Sequence, residues 1–432
     1  MSVGMTTLAL FLIFFIFLFM GVPISVSIIL SSIATALLAG LTWDHIQFIA
    51  MQKMNSGIES FSLLAVPLFI LAGNIMNNGG IARRLIKFSQ LFVGNIRGSL
   101  SHANALGNIF FGALSGSGVA AASAMGGTIY PVQKEQGYDK EIATAVNIAS
   151  APAGLLIPPT SAPIVYSTVA GGVSISAMFM GGYIPGILMG LIAIYFGYRY
   201  AKKNNYPVAG KPENAGKVVM DALPSLLMII IVIGGIVGGV FTATEGAGIS
   251  VLYSLILSII YKSINLKTLQ QILLKTAETA GVVLFLISAS TVMSWVMAYT
   301  GIPQAISDGI LGLTDNKYII LLLMNVILLL VGMFMDITPA ILIFTPIFLP
   351  IAESLGMSAI QFGIVLIYNM CIGTMTPPVG SILFVASGIT KVKLENLAKV
   401  LLPFLIANMI VLLLLTFIPQ IIMFLPEAMG LV

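Results

Sequence analysis

Two stretches of this 432-residue chain place adjacent prolines and small oxygen-bearing residues inside apolar sequence. The first is Ser150-Ala151-Pro152-Ala153-Gly154-Leu155-Leu156-Ile157-Pro158-Pro159-Thr160-Ser161-Ala162-Pro163, and the second is Gly373-Thr374-Met375-Thr376-Pro377-Pro378-Val379-Gly380-Ser381. Adjacent prolines remove two backbone donors and disfavour helix at the preceding residue, so a helix must unwind there. In hydrocarbon the freed carbonyls would each cost several kcal/mol unless they coordinate something. Each stretch has a polar turn upstream. Ser115-Gly116-Ser117-Gly118 separates an apolar run, residues 104–114, from a small-residue run, 119–130. Asp336-Ile337-Thr338-Pro339 likewise separates residues 321–335 from 340–349. Arms of about 10 to 15 residues are short for a full crossing, so each unit reads as a re-entrant helical hairpin with its tip at mid-membrane.

A hairpin tip with hydroxyls, facing a broken helix with free carbonyls, supplies a cage of oxygens without cysteine or histidine. That is chemistry for an alkali cation, and two such units predict two Na⁺ sites. Half-helix C-terminal ends favour the cation, and N-terminal ends favour an anionic substrate. Asp336 is the sole carboxylate in residues 319–352; it reads either as an intramembrane functional acid or as a helix cap at the tip. Ser115, Ser117 and Thr338 read either as ligands or as hydroxyls bonded to backbone carbonyls. Glu245, after Thr242-Ala243-Thr244, reads as a structural first-turn acid. His45 and His102 have no metal-ligand spacing and are expected at the interface.

These residues need a membrane scaffold. The chain is 58% hydrophobic and 8% charged, with mean hydropathy +1.07, where soluble domains carry roughly a quarter charged residues. Apolar runs at residues 8–30, 179–198, 223–240 and 400–418 each fit a crossing helix. A spanning barrel would instead show short alternating segments. The first run lacks a basic leading region and a cleavage pattern, so it is expected to remain as a membrane helix. One cysteine, Cys371, excludes a disulfide framework and reads as core packing. The formal charge of +4 comes from scattered basic residues that form no nucleic-acid face. Residues 199–217 hold five Lys/Arg, one acid (Glu213), Pro207, Gly210 and Pro212, which marks a cytoplasmic linker. Lys53, the group Arg83, Arg84 and Lys87, and the group Lys262, Lys267 and Lys275 fall in partly amphipathic stretches. These are expected to lie along the interface with their cations snorkelling outward.

The halves repeat. At a shift of 219, Pro131 meets Pro350, Gly137 meets Gly356, Asp139 meets Ser358, and Pro158-Pro159 meets Pro377-Pro378. At a shift of 221, Gly80-Ile81 meets Gly301-Ile302. The expected organisation is a first half over residues 1–198, the linker, and a second half over 218–432. The first half holds a hairpin at 103–133 and a broken helix at 140–170. The second holds a hairpin at 318–352, a broken helix at 358–390 and a C-terminal helix. Paired Gly/Pro-interrupted segments in two halves point to a transporter site at the bilayer midplane.

As a set, the hairpins, the double prolines, Ser115-Gly116-Ser117-Gly118, Pro158-Pro159-Thr160-Ser161 and Thr376-Pro377-Pro378-Val379-Gly380 resemble the large membrane subunit of tripartite ATP-independent periplasmic (TRAP) transporters. The resemblance covers essentially the whole chain. It implies an all-α, polytopic, bacterial inner-membrane protein with inverted repeats, an elevator-type mechanism and two sodium sites. It also implies a separate four-helix Q subunit and a soluble periplasmic substrate-binding protein. By the same resemblance one sodium site comprises Ser115, Gly116, Ser117 and the first break with Gly154 and Pro158. The other comprises Asp336, Thr338, Gly373 and Thr376. Ser115, Thr160, Ser161 and Asp336 are implied to face the substrate. The implied substrates are carboxylates: sialic acids, C4-dicarboxylates or sugar acids. An acid near the site favours a hydroxyl-rich ligand over a second carboxylate.

The competing readings are a stand-alone sodium/anion symporter, an ion channel and an intramembrane enzyme. A serine protease needs a base beside its nucleophile, and only His102 is near in sequence. An aspartyl mechanism needs a second intramembrane carboxylate. The chain has no G-x-x-x-x-G-K-[ST] loop for nucleotide.

Overall fold

The computed structural model describes residues 2–432 apart from 79, 80 and 313. Among these residues every regular element is helical. The first half runs α1 (Val3–Phe19), α2 (Ile24–Leu38), α3 (Trp43–Ser56), a short 3-10 turn (Phe61–Leu64), α4 (Ala65–Asn78), α5 (Ile81–Val93), α6 (Ser99–Ser115), α7 (Gly118–Glu135), α8 (Lys140–Ser150), α9 (Ala153–Leu156), α10 (Ser161–Val169) and α11 (Ile175–Lys203). The second runs α12 (Ala215–Val237), α13 (Ala243–Ile260), α14 (Leu266–Thr300), α15 (Ile302–Leu311), α16 (Lys317–Gly332), α17 (Ile337–Ser354), α18 (Ala359–Thr374), α19 (Ser381–Thr390), α20 (Leu394–Phe417) and α21 (Gln420–Ala428). Six helices are long and apolar enough to cross a membrane, or up to eight if each of two bent pairs forms one span. One bent pair, Lys140–Leu156 with Ser161–Val169, turns by 48° at the first double proline.

Three expectations change. Residues 8–30 are not one helix, because Gly21-Val22-Pro23 separates α1 from α2. The linker begins later than residue 199, because nothing in α11 breaks the helix before Asn204 caps it. Gly80 lies outside the described residues, so the Gly80-Ile81 match rests on its second member: Ile81 opens α5 as Ile302 opens α15.

The equivalent pieces of the halves adopt equivalent local structures. Asp139 caps α8 by accepting from the Ile142 N–H at 3.0 Å. Ser358 caps α18 by accepting from the Gln361 N–H at 3.1 Å. The preceding turns need left-handed backbone at Gly137 (φ 76°) and Gly356 (φ 86°), where a Cβ would be strained. Glu245 serves structure as expected: it completes a capping box with Thr242, accepting from the Thr242 N–H at 2.8 Å.

The packing gives two groups of helices that meet chiefly where α5 lies on α6 and α14 lies on α17. α2 lies on α1 and α14, α13 and α14 lie on α4, and α12 lies on α5 and α13. In the other group α6 packs on α7, α8, α9 and α11, α16 and α17 pack on α18, and α11 and α20 pack on α8 and α18. Across the halves, α10 packs on α17 while α19 packs on α7. Since α10 corresponds to α19 and α7 to α17, the contact is reciprocal, the mark of a two-fold relation. Cys371 and Pro152, equivalent at the 219 shift, touch each other (Sγ to carbonyl oxygen, 3.6 Å), which puts the pseudo-axis between them. Cys371 is buried there as a core residue.

Candidate cation and anion site

The first polar turn meets the first break. α6 ends at Ser115, Gly116 adopts left-handed backbone, and the Ser117 hydroxyl caps α7 by accepting from the Ala120 N–H at 3.2 Å. Behind the turn, α6 and the break touch backbone to backbone: a Cβ on Gly154 would lie 2.2 Å from the Gly112 Cα. At the tip, a Cβ on Gly116 would lie 3.3 Å from the Pro159 carbonyl oxygen and 3.6 Å from the Thr160 Cα. An amide clamp fixes this register, with Asn108 Nδ2 donating to Ser150 Oγ at 2.8 Å and to Asn147 Oδ1 at 2.9 Å. The Thr160 hydroxyl is buried without a hydrogen-bond partner. An orphan hydroxyl at such depth costs about 1–3 kcal/mol.

The second turn and break repeat this construction. A Cβ on Gly373, the equivalent of Gly154, would lie 2.4 Å from the Gly332 carbonyl carbon and oxygen. Asn369 Nδ2 donates to Asn325 Oδ1 at 2.8 Å, clamping α18 to α16. Asp336 caps α17, its Oδ1 accepting from the Ile337 N–H at 3.0 Å. The carbonyls of Thr374 and Thr376 converge on Gly380, each 2.9 Å from a Cβ placed there. Thr376 Oγ1 donates to the Ile372 carbonyl at 2.7 Å. Ser381, which opens α19, has a buried hydroxyl without a partner.

Both turns and both restart helices open on one cavity of about 500 Å³. Ser117 and Gly118 begin α7, Ser161 begins α10, Asp336 and Ile337 begin α17, and Ser381 begins α19, and all of them line it. Four helix N-termini therefore converge on one space, each contributing roughly half a positive charge and free N–H groups. Asp336 is exposed to this cavity. The orphan Thr160 hydroxyl beside Gly116, and the converging Thr374 and Thr376 carbonyls near Asp336, are oxygen donors suited to a hard cation.

Of the residues expected at the site, Ser115, Gly116, Ser117, Ser161, Asp336 and Thr338 line the cavity. Gly154, Pro158, Gly373 and Thr376 sit behind it. Thr160, expected to face substrate, does not line the cavity. It is fully buried beneath Gly116, because the double proline turns the chain inward before α10 begins.

Sequence reasoning missed the opposite wall. Asn74 and Asn77 reach the cavity from α4, and Lys275 and Thr279 from α14. Lys275, expected in an outward-snorkelling arm, belongs to a continuous 35-residue helix and faces the cavity. Lys275, Thr279 and Val283 recur at four-residue spacing along one face of it, a signal the sequence did carry. Asn74 is held by donating to Thr276 Oγ1 at 3.0 Å. Arg83, Arg84 and Lys87 line a second cavity, on an amphipathic helix that buries Ile81, Leu85, Ile86 and Val93 and leaves Arg83 and Lys87 exposed. His102 is buried rather than interfacial, with Nε2 3.1 Å from the Arg97 carbonyl oxygen.

Residues 11–421 match the family model of the tripartite ATP-independent periplasmic transporter, DctM component. The uncharacterized protein YgiK of Salmonella typhimurium is 49% identical over 96% of this chain and 95% of its own length. The isethionate TRAP transporter permease protein DctMQ of Oleidesulfovibrio alaskensis is 38% identical over 95% of this chain and 65% of its own. The sialic acid TRAP transporter large permease protein SiaM of Vibrio cholerae is 37% identical over 95% and 96%. Among solved structures, the YdaH transporter of Alcanivorax borkumensis shares the fold, with a TM-score of 0.62 at 14% identity, over 87% of this chain and 89% of that one. A match of this extent makes the chain a large permease of the TRAP transporters, a multi-pass membrane transport protein and not an enzyme; it belongs to the DctM component family.

Proposed function

We propose that this chain is the sodium-driven, substrate-translocating subunit of a TRAP transporter importing a small organic anion. The observation that carries the reading is the convergence of four helix N-termini on one cavity, with an oxygen-rich turn-and-break unit at each end. The N-termini suit an anion, and Ser115, Ser161 and Asp336 are the side chains we assign to it. Sialic acid fits this set, since hydroxyls can donate to Asp336 where a second carboxylate would be repelled. Isethionate and sialic acid transport by relatives is in keeping with an anionic, hydroxyl-bearing ligand.

We assign one sodium to Ser115, Gly116, Ser117, Thr160 and the break at Gly154 and Pro158. The other is assigned to Asp336, Thr338, Gly373, Thr376 and the neighbouring Thr374 carbonyl. Bound sodium supplies positive charge that satisfies these oxygens and couples uptake to the ion gradient. Each net charge crossing contributes roughly 2.3 kcal/mol per 100 mV. The group of α6–α11 and α16–α20 acts as the moving transport domain, its hairpins re-entrant and its halves inverted, and slides against the scaffold of α1–α5 and α12–α15. Substrate arrives from a periplasmic binding protein, in the bacterial inner membrane, with a small Q subunit beside the scaffold. The length of the fused DctMQ relative, of which this chain spans 65%, supports that partner.

Thr160→Val tests the cation assignment, because it keeps the shape and removes the hydroxyl. In choline chloride the variant melts at or above the unaltered chain, since an unpaired buried hydroxyl is gone. In sodium its stabilisation midpoint moves up at least roughly ten-fold. An unchanged sodium midpoint would remove Thr160 from the site.

A further inference from the structure

Beside the substrate cavity lies a larger one, about 1020 Å³, sharing Asn77 with it. The two also share a helix face: Ala120 and Ser123 of α7 line the first, and Ala124 and Thr128, one turn on, line the second. Its far wall is the inter-repeat linker. Arg83 and Lys87 enter it from α5, Lys211 from the linker and Lys217 from the first turn of α12, against the acids Glu213 and Asp221. Among the described residues no ion pair joins any of these four cations to a carboxylate.

The wall is built rather than draped. The Gly210 N–H donates to the Gly94 carbonyl at 3.1 Å, and the Gly98 N–H donates to the Pro207 carbonyl at 3.2 Å. The Ala209 N–H donates to Ser99 Oγ at 2.9 Å, and the Tyr206 ring lies 4.4 Å from that of Tyr138. Gly94 admits no side chain here, since a Cβ would lie 2.5 Å from the Gly210 carbonyl oxygen. Arg84 is held over the Tyr261 ring at 3.6 Å. A basic chamber walled in this way beside a cavity ringed by helix N-termini, the two meeting at Asn77, acts as an electrostatic funnel that concentrates anions.

We infer that this chamber is a second anion site, on the linker side of the substrate cavity, taking small multivalent carboxylates. Resting on the transport reading, it is the station through which the anion leaves the substrate cavity. Because α7 and the linker, bonded to Ser99 of α6, stand on one side, and α12 and the turn holding Tyr261 and Ser263 stand on the other, with α5 packed on both α6 and α12, the chamber has this shape only in the present arrangement of the two groups. An anion lodged in it holds that arrangement and slows the return of the empty carrier.

The test uses the full chain in zwitterionic nanodiscs and the triple variant K87Q/K211Q/K217Q. Thermal stabilisation is titrated with acetate, malonate and citrate at fixed sodium and fixed ionic strength. The expected result is a midpoint that falls with valence, from acetate to citrate, and rises roughly ten-fold for citrate in the variant, with the anion-free melting temperature unchanged. Equal midpoints in the two proteins, or a response reproduced by chloride, would overturn the site. A response that vanishes when phosphatidylglycerol is added would assign the chamber to a lipid headgroup and overturn the exit role. In proteoliposomes holding the complete transporter, with the small membrane subunit and the binding protein, internal citrate slows sodium-driven uptake when the large permease is unaltered and leaves the variant unaffected; equal slowing overturns the proposal. Absence of sodium-driven uptake in both proteins would instead count against the transport reading, and the nanodisc titration separates the two failures.

Discussion

Gly154→Ala is the sharpest perturbation of the first ion unit. Its Cβ would stand 2.2 Å from the Gly112 Cα and 2.7 Å from the Gly112 carbonyl carbon, where ordinary contact begins at 3.4 Å. Both partners are backbone, so no side chain can swing away, and α6 must separate from the break by more than an ångström. That displacement reaches the tip four residues on, where Gly116 lies against the Pro159 carbonyl. Overpacking of this kind costs about 1–3 kcal/mol. The sodium-free state can relax by letting the turn drift from the break. A cage that needs both cannot, so the cost falls chiefly on the bound state. At 1.4 kcal/mol per factor of ten, the half-saturating sodium concentration rises roughly ten- to a hundred-fold. The assay is uptake into proteoliposomes, with the complete transporter, as a function of sodium. Gly248→Ala is the control, since nothing lies within 4 Å of a Cβ there. A folded Gly154→Ala protein with an unaltered sodium dependence would refute the claim that this glycine contact sets the geometry of an ion site.

Three further outcomes follow from the same structure. Asp336→Asn keeps a good N-cap for α17 and removes the charge, so the melting temperature without sodium holds while sodium-driven uptake falls at least about a hundred-fold; retained sodium-driven uptake would place the second site elsewhere. Lys275→Gln, at an exposed position on the cavity wall, raises the half-saturating substrate concentration by no more than about five-fold, read from uptake kinetics. A complete loss would show that Lys275 does more than attract the anion. Thr242→Ala breaks the capping box of α13 and costs about 1 kcal/mol, read as a lower denaturation midpoint with substrate and sodium half-saturation unchanged.

Much of this site was legible because its instructions are local. Pro158-Pro159 and Pro377-Pro378 end helices wherever they occur, and Ser117 and Asp336 each combine a turn with a cap in two or three residues. Their recurrence at one spacing carried the two-fold relation before any contact was known. The scaffold wall was illegible for the opposite reason. A cation in an amphipathic stretch looks the same whether it snorkels to lipid headgroups or faces a cavity, and only the packing of α4 and α14 beside the turns places Asn74, Asn77 and Lys275 there. Thr160 shows the remaining gap: adjacency to Ser161 suggested a shared face, yet one residue of chain direction after the prolines buries the first and exposes the second to the cavity. The linker composition announced a loop between the halves. That it forms a wall depends on the approach of Gly94 to Gly210, a long-range contact that composition does not encode.

Substrate uptake into proteoliposomes under an inward sodium gradient, with the small membrane subunit and the soluble binding protein each present or withheld, tests the central claim most directly. Uptake that requires the gradient and both partners, and that stops when choline replaces sodium, is the predicted result. Sodium-driven uptake by this chain alone, or uptake indifferent to sodium, would contradict it.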